Sequence, residues 1–175
     1  MRIQLEQCEV RSLCCEDAES LALHANNRNV WINLRDAFPH PYSRTDAEAF
    51  IERCLQPPET TFAIAVEAQA VGAIGFLPGK DVERLSAEIG YWIGESFWNR
   101  GIMTRVVAAV TEFAMREHEL TRVYATPFGW NEASARVLEK AGYVLEGVMR
   151  GGAIKDGKVV DKYLYAYVRD SNAGP

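Results

Sequence analysis

Between residues 86 and 126 the apolar residues of this chain change period twice, and that switch restricts the fold more than any other feature. Residues 86–93 read as a strand. Met103, Val106, Val107, Val110, Phe113 and Ala114 then recur at helical spacing over residues 101–118, and residues 122–126 return to strand character. A chain made of such switches must mix helix and strand. That excludes a helical bundle and a doubly wound sheet and leaves a mixed sheet with helices packed on it.

The remaining segments fit the same plan. Residues 3–13 alternate enough to open as a strand, and residues 16–25 turn helical before Asn26 and Asn27 end the pattern. Residues 30–41 carry Trp31, Phe38, His40 and two prolines, an ordered loop or short helix. Thr45 and Glu48 form a capping box, after which Ala47, Phe50, Ile51, Cys54 and Leu55 fall on one helix face. Residues 62–66 and 70–77 read as paired strands, although the turn at Glu67, Ala68 and Gln69 lacks the usual glycine. Asn131 opens a second good helix with Ser134, Val137, Leu138 and Ala141 on one face, and Gly142 closes it. Residues 143–150 and 158–169 finish the chain as strands about Asp156-Gly157, a strong hairpin signal. The expected order is β-α-α-β-β-β-α-β-α-β-β.

A length of 175 residues, with 48% hydrophobic and 25% charged side chains, predicts one globular domain over residues 1–170 and a frayed tail at 171–175. Lys and Arg number 19 against 24 Asp and Glu, a net charge of −5, which argues against a general nucleic-acid binder. No apolar run is long enough for a secretion signal or a membrane span. Cys8, Cys14, Cys15 and Cys54 show no CxxC spacing and read as reduced, mainly buried thiols of a cytoplasmic protein.

Several catalytic signatures come close and fail. His118-Glu119 begins an HExxH, but Arg122 stands in the place of its second histidine. Residues 75–80 are one short of a phosphate-binding P-loop, and Asp81 replaces its Ser or Thr. Ser96 lacks the second glycine of a nucleophile elbow. No metal site and no covalent nucleophile emerges.

What remains is the stretch Glu88 to Arg105. A strand ends near Gly94, a short loop follows, and Gly101 opens an apolar-faced helix whose first N–H groups point outward. Acidic residues normally favour a helix's first turn, yet this one carries Arg100, Arg105 and the hydroxyl of Thr104. A phosphate or pyrophosphate would satisfy them together; an ordinary strand–turn–helix with solvated arginines is the plainer alternative. Further on, Asn131 and Ser134 lie near one face of the second helix. Their plainer roles are a cap and a bond back to a carbonyl.

Taken together, W-N-R-G-I-M-T-R at 98–105 and N-E-A-S-A-R-V-L-E-K-A-G-Y at 131–143 resemble the GNAT superfamily of acyl-CoA-dependent N-acyltransferases, especially its RimJ/RimL-type branch. The resemblance covers nearly the whole chain. It implies a mostly antiparallel central sheet, splayed at the cofactor site, with helices on both faces, and acetyl-CoA as cosubstrate with CoA as product. Backbone of Tyr91, Trp92 and Ile93 would meet the pantetheine arm, and Asn99, Arg100, Gly101, Ile102, Met103 and Thr104 would wrap the pyrophosphate. Asn131 would touch the cofactor, Ser134 would lie near the thioester sulfur, and Arg136 or Lys140 would approach the 3′-phosphate.

The implied reaction is acetyl transfer to a primary amine, either a protein N-terminus or a small molecule, by direct attack in a ternary complex. Ser134 is the candidate acid and Glu88 the candidate base; a solvent-facing strand carboxylate is the alternative for Glu88. Trp31, Phe38, His40 and Tyr42, with the loop at 151–157, are candidates for the acceptor pocket, and a core role is their alternative. A homodimer is compatible with the family. Two departures stand out: larger residues, Asn99 and Met103, where the family's loop has Gly or Ala, and Leu138 where many members carry a tyrosine acid. They leave open a catalytically impaired acyl-CoA-binding regulatory module.

Overall fold

The computed structural model describes residues 1–169, so the tail expected at 171–175 lies outside the described residues. The chain opens with β1 (Arg2–Gln4) and β2 (Glu9–Arg11), antiparallel with Arg2 opposite Arg11. The stretch expected to be one strand over 3–13 is therefore two. The Leu5 N–H donates to the Cys8 carbonyl at 2.9 Å and closes the turn between them.

After a 3-10 turn come α1 (Ala18–Ala25), α2 (Arg28–Trp31) and α3 (Arg44–Cys54). Then follow β3 (Thr61–Val66), β4 (Gln69–Pro78), β5 (Ser86–Ile93), α4 (Ile102–Glu117), β6 (Arg122–Ala125), α5 (Glu132–Lys140), β7 (Val144–Lys155) and β8 (Lys158–Val168). The strands form one sheet in the order β1-β2-β3-β4-β5-β6-β8-β7. It is mostly antiparallel; β5 and β6 pair in parallel. Along α4 the expected face is buried at Met103, Val106, Val107, Val110 and Ala114. Met103 and each of the three valines contribute about 1.5–3 kcal/mol.

The chain divides into two compact units. One comprises residues 1–75 and 91–106, the other residues 76–90 and the chain from 107 on. In the first, Leu13, Leu21, Ala25, Ala47, Ile51 and Tyr42 form the core with Ala63 and Ala70 of the strands. α3 begins two residues before the expected box. Ser43 is the cap, with its hydroxyl accepting the Asp46 N–H at 3.2 Å and its own N–H donating to Asp46 at 2.8 Å. Thr45 already lies inside the helix. Leu55, at the far end of the expected face, is 43% exposed.

The β3–β4 turn is two residues, Glu67 and Ala68, both left-handed at φ 49° and 68°. That is a primed turn built without glycine. Gly72 of β4 matters for another reason. A Cβ there would lie 2.8 Å from the Ile93 Cα and closer still to the Trp92 carbonyl, so glycine lets the two backbones approach.

In the second unit Ser86, Ala87 and Glu88 of β5 pair with Arg122, Val123 and Tyr124 of β6, and β5 continues beyond that short parallel ladder. The Thr111 and Tyr143 hydroxyls share a buried hydrogen bond of 2.6 Å. Asp156 (φ 51°) and Gly157 (φ 72°) make the expected turn between β7 and β8. Residues 151–155 were expected in a loop but belong to β7, with a register irregularity between Met149 and Ala153 where the ladder takes up extra residues.

Candidate active site

The segment joining β5 to α4 is fixed at several points. The Gly94 N–H donates to the Val71 carbonyl at 2.8 Å, and the Trp98 indole N–H donates to the Ile93 carbonyl at 2.9 Å. A Cβ at Gly94 would sit 2.7 Å from the His24 Nδ1, so any larger residue would displace that ring. The His24 ring meets Phe97 edge-on at 5.4 Å, and burial pushes the imidazole below its ordinary pKa. The Arg100 guanidinium lies 5.1 Å over the Phe97 ring.

Asn99 and Gly101 both adopt left-handed backbone, at φ 60° and 72°. Asn is among the few side-chain-bearing residues that accept this conformation readily, which accounts for its presence where the family has a smaller residue. Met103, the other bulky departure, is 9% exposed, so its side chain is packed inward and leaves the loop's outer face clear. α4 has no acidic residue in its first turn, and Gly101 carries no side chain with which to cap it. A Cβ at Gly101 would meet no atom nearer than Arg105 Nη1, at 3.7 Å. The Arg105 guanidinium also lies 3.8 Å from Glu6, and its Nε is buried without a hydrogen-bond partner. The loop thus combines the start of a helix that carries no acidic residue in its first turn with two arginines, residue types that suit a phosphate.

Around the end of β5, Trp92 meets Phe38 edge-on at 5.5 Å and Phe38 packs on Tyr42 at 4.7 Å. Tyr42 is 5% exposed and part of the core, and burial pushes its phenol up to about 12. Of the four aromatics expected at an acceptor pocket, Tyr42 is therefore a core residue. Trp31 and the exposed His40 stack at 5.6 Å, with the Arg28 guanidinium 5.2 Å over the Trp31 ring.

In the other unit Asn131 caps α5, its Oδ1 accepting the Ser134 N–H at 3.1 Å. Arg136 pairs with Glu132 at 3.2 Å on the exposed side of the helix, and Lys140 is exposed in its last turn. Leu138 is fully buried, which is what an apolar side chain at that position does in place of a tyrosine. Glu88 Oε1 accepts the Thr126 hydroxyl at 2.8 Å. Thr126 was missed in the sequence because only the parallel register, which no local pattern encodes, brings the end of β6 beside Glu88. Of the four cysteines, all free, Cys8 is buried and Cys15 is exposed, so the expected burial does not hold for Cys15.

Residues 8–144 match the family model described as "Acetyltransferase (GNAT) domain". The chain belongs to the GNAT acetyltransferase family. It is 32% identical over 165 residues to the probable N-acetyltransferase YjcK of Bacillus subtilis, covering 90% of this chain and 91% of that protein. It is 30% identical over 110 residues to the ribosomal-protein-serine acetyltransferase of Escherichia coli, covering 63% of this chain and 61% of that one. Among solved structures it superimposes with a TM-score of 0.85 on RimL, a ribosomal L7/L12 alpha-N-protein acetyltransferase in complex with coenzyme A. That match has 21% identity and covers 98% of this chain and 100% of RimL, a likeness of fold.

Proposed function

We propose that this GNAT acetyltransferase moves an acetyl group from acetyl-CoA to a primary amine, with residues 1–170 acting as one catalytic domain. The observation that carries the reading is the opening of α4. Left-handed Asn99 and Gly101, no acidic residue in the first turn, and Arg100 and Arg105 together suit the cofactor's pyrophosphate. The backbone of Tyr91, Trp92 and Ile93 would hold the pantetheine arm, Asn131 would touch it, and Arg136 or Lys140 would take the 3′-phosphate. The burial of Met103 and the backbone of Asn99 favour this reading over an impaired regulatory module.

When bound, acetyl-CoA supplies an acyl group activated as a thioester. The strand backbone at residues 91–93 would polarise its carbonyl, and holding both reactants in line would contribute several kcal/mol. As the amine nitrogen forms its bond to the acyl carbon and the carbon–sulfur bond breaks, Ser134 would pass its hydroxyl proton to the departing sulfur and take one back from water, so that it ends neutral. Glu88, oriented by the Thr126 hydroxyl, takes the proton lost by the amine, directly or through water. Trp31, Phe38 and His40 would line the acceptor side. A protein N-terminus is the favoured acceptor, supported by the ribosomal-protein acetyltransferases among the relatives; a small amine is the other class.

A cytoplasmic location is supported by its free thiols. Self-association as a homodimer is supported by the apolar residues exposed on the outermost strand β7, Val144 and Val148 among them. Calorimetric titration with acetyl-CoA and desulfo-CoA tests the core of the reading. Micromolar binding of both is expected, followed by CoA release when peptides or amines are added. No binding at millimolar cofactor would refute it.

A further inference from the structure

We infer that Glu95 is a positioning residue whose carboxylate, gripped by two asparagines of the N-terminal helical corner, holds the β5–α4 loop in the shape that receives the cofactor's phosphates. This rests on the cofactor reading above and adds to it a residue outside the loop's own phosphate contacts.

The loop needs such a support. Residues 95, 96 and 98–101 are exposed, and two of those positions hold left-handed backbone. The bonds from Gly94 to Val71 and from Trp98 to Ile93 fix the loop to strands. Glu95 fixes it to the helices. Asn27 Nδ2 donates to one carboxylate oxygen at 2.7 Å, and Asn29 Nδ2 donates to the other at 2.9 Å. Both bonds span more than sixty residues of chain.

The Asn27 amide can face only one way. Its Oδ1 accepts the Asn29 N–H at 2.7 Å as the cap of α2, so its NH₂ group must point at Glu95. Glu95 also opens the 3-10 turn that carries Phe97, and Phe97 is the ring over which Arg100 lies. The grip therefore reaches, through one turn of backbone and one ring, to an arginine assigned to the pyrophosphate. The signal is present in the sequence as Asn27, Asn29 and Glu95, but no local pattern joins residues so far apart.

The carboxylate's charge and its hydrogen bonds make separable contributions. In Glu95→Gln the side-chain carbonyl keeps the bond from Asn27, and Asn29, whose exposed amide can flip, accepts from the new NH₂. Glu95→Ala removes both bonds, and Asn29→Ala removes one.

The test measures CoA affinity by calorimetry and amide hydrogen exchange of residues 97–104 without CoA, in wild type and the three variants. Expected are CoA binding weakened about tenfold in Glu95→Ala with faster exchange across the loop, an intermediate effect in Asn29→Ala, and near wild-type values in Glu95→Gln. Wild-type affinity and exchange in Glu95→Ala would overturn the role given to Glu95 while leaving the cofactor reading intact. So would a Glu95→Gln variant as impaired as Glu95→Ala, because charge and not geometry would then be the cause. A wild-type protein that binds no CoA would overturn the cofactor reading itself, and the role of Glu95 with it.

Discussion

Gly101 separates two effects that most substitutions confound. Its φ of 72° lies in the left-handed region, and a Cβ would meet only the flexible end of Arg105, at 3.7 Å. Gly101→Ala therefore has no clash to add to its backbone cost, which is about 1–2 kcal/mol. Against a domain stability of about 5–15 kcal/mol the variant remains folded. Gly101→Asn incurs less strain, as Asn99 illustrates two residues earlier at φ 60°. Its carboxamide, however, would add bulk beside Arg105 at the opening of α4.

The two properties should thus rank the proteins differently. Stability in urea falls in the order wild type, Asn, Ala. CoA affinity falls in the order wild type, Ala, Asn, with Ala about tenfold weaker and Asn at least a further tenfold, each tenfold being about 1.4 kcal/mol. Urea denaturation gives the first order and calorimetric titration of CoA the second. If affinity followed stability, or if the Asn variant bound CoA as wild type does, the phosphate would not sit at the mouth of this helix.

Other expectations follow from single contacts. Ser134→Ala lowers kcat by about 100-fold with little change in KM for acetyl-CoA, read from steady-state release of free thiol; equal rates would remove Ser134 from the proton path. Gly72→Ala forces the backbone at residues 92–93 away and costs about 3 kcal/mol in urea unfolding. Burial alone would raise the Asp17 carboxyl, but the bidentate grip of Arg11, at 2.6 and 2.7 Å, outweighs it and holds the group below the usual range. With the folded value depressed, this stabilisation is complete above the unfolded pKa of about 3.9 and is lost as pH falls through the folded value. Asp17→Asn should therefore lower stability by about 3 kcal/mol at pH 7 and flatten its fall below pH 4, as followed by circular dichroism. Tyr143→Phe strands the buried Thr111 hydroxyl and costs about 1–3 kcal/mol, and adding Thr111→Val recovers part of it in a double-mutant cycle.

The helices and long strands were legible because burial writes its period into the sequence. The sequence pattern places β5 to the residue, α4 and β6 to within one at their ends, and Asn131 at the cap of α5. The errors lie where several local solutions have similar energies. Ser43 with Asp46 and Thr45 with Glu48 are both acceptable capping pairs, and tertiary packing of Ala47 and Ile51 selects the earlier. The break between β1 and β2 interrupts an alternation that reads as continuous. At the site, the loop's glycine and arginines could be read locally, whereas the bonds of Glu88 to Thr126 and of Glu95 to Asn27 and Asn29 arise only after distant segments meet.

The glycine-free turn at Glu67 and Ala68 gives this protein an unspent margin. Two ordinary residues held left-handed cost the native state about 1–2 kcal/mol each, because the strands on either side dictate the register and the turn must comply. Changing them together, Glu67→Asn with Ala68→Gly, would relieve that strain without shortening or lengthening either strand. An engineer wishing to reshape the acceptor side for a new amine could begin from such a background and absorb the destabilisation that redesigned pockets usually bring.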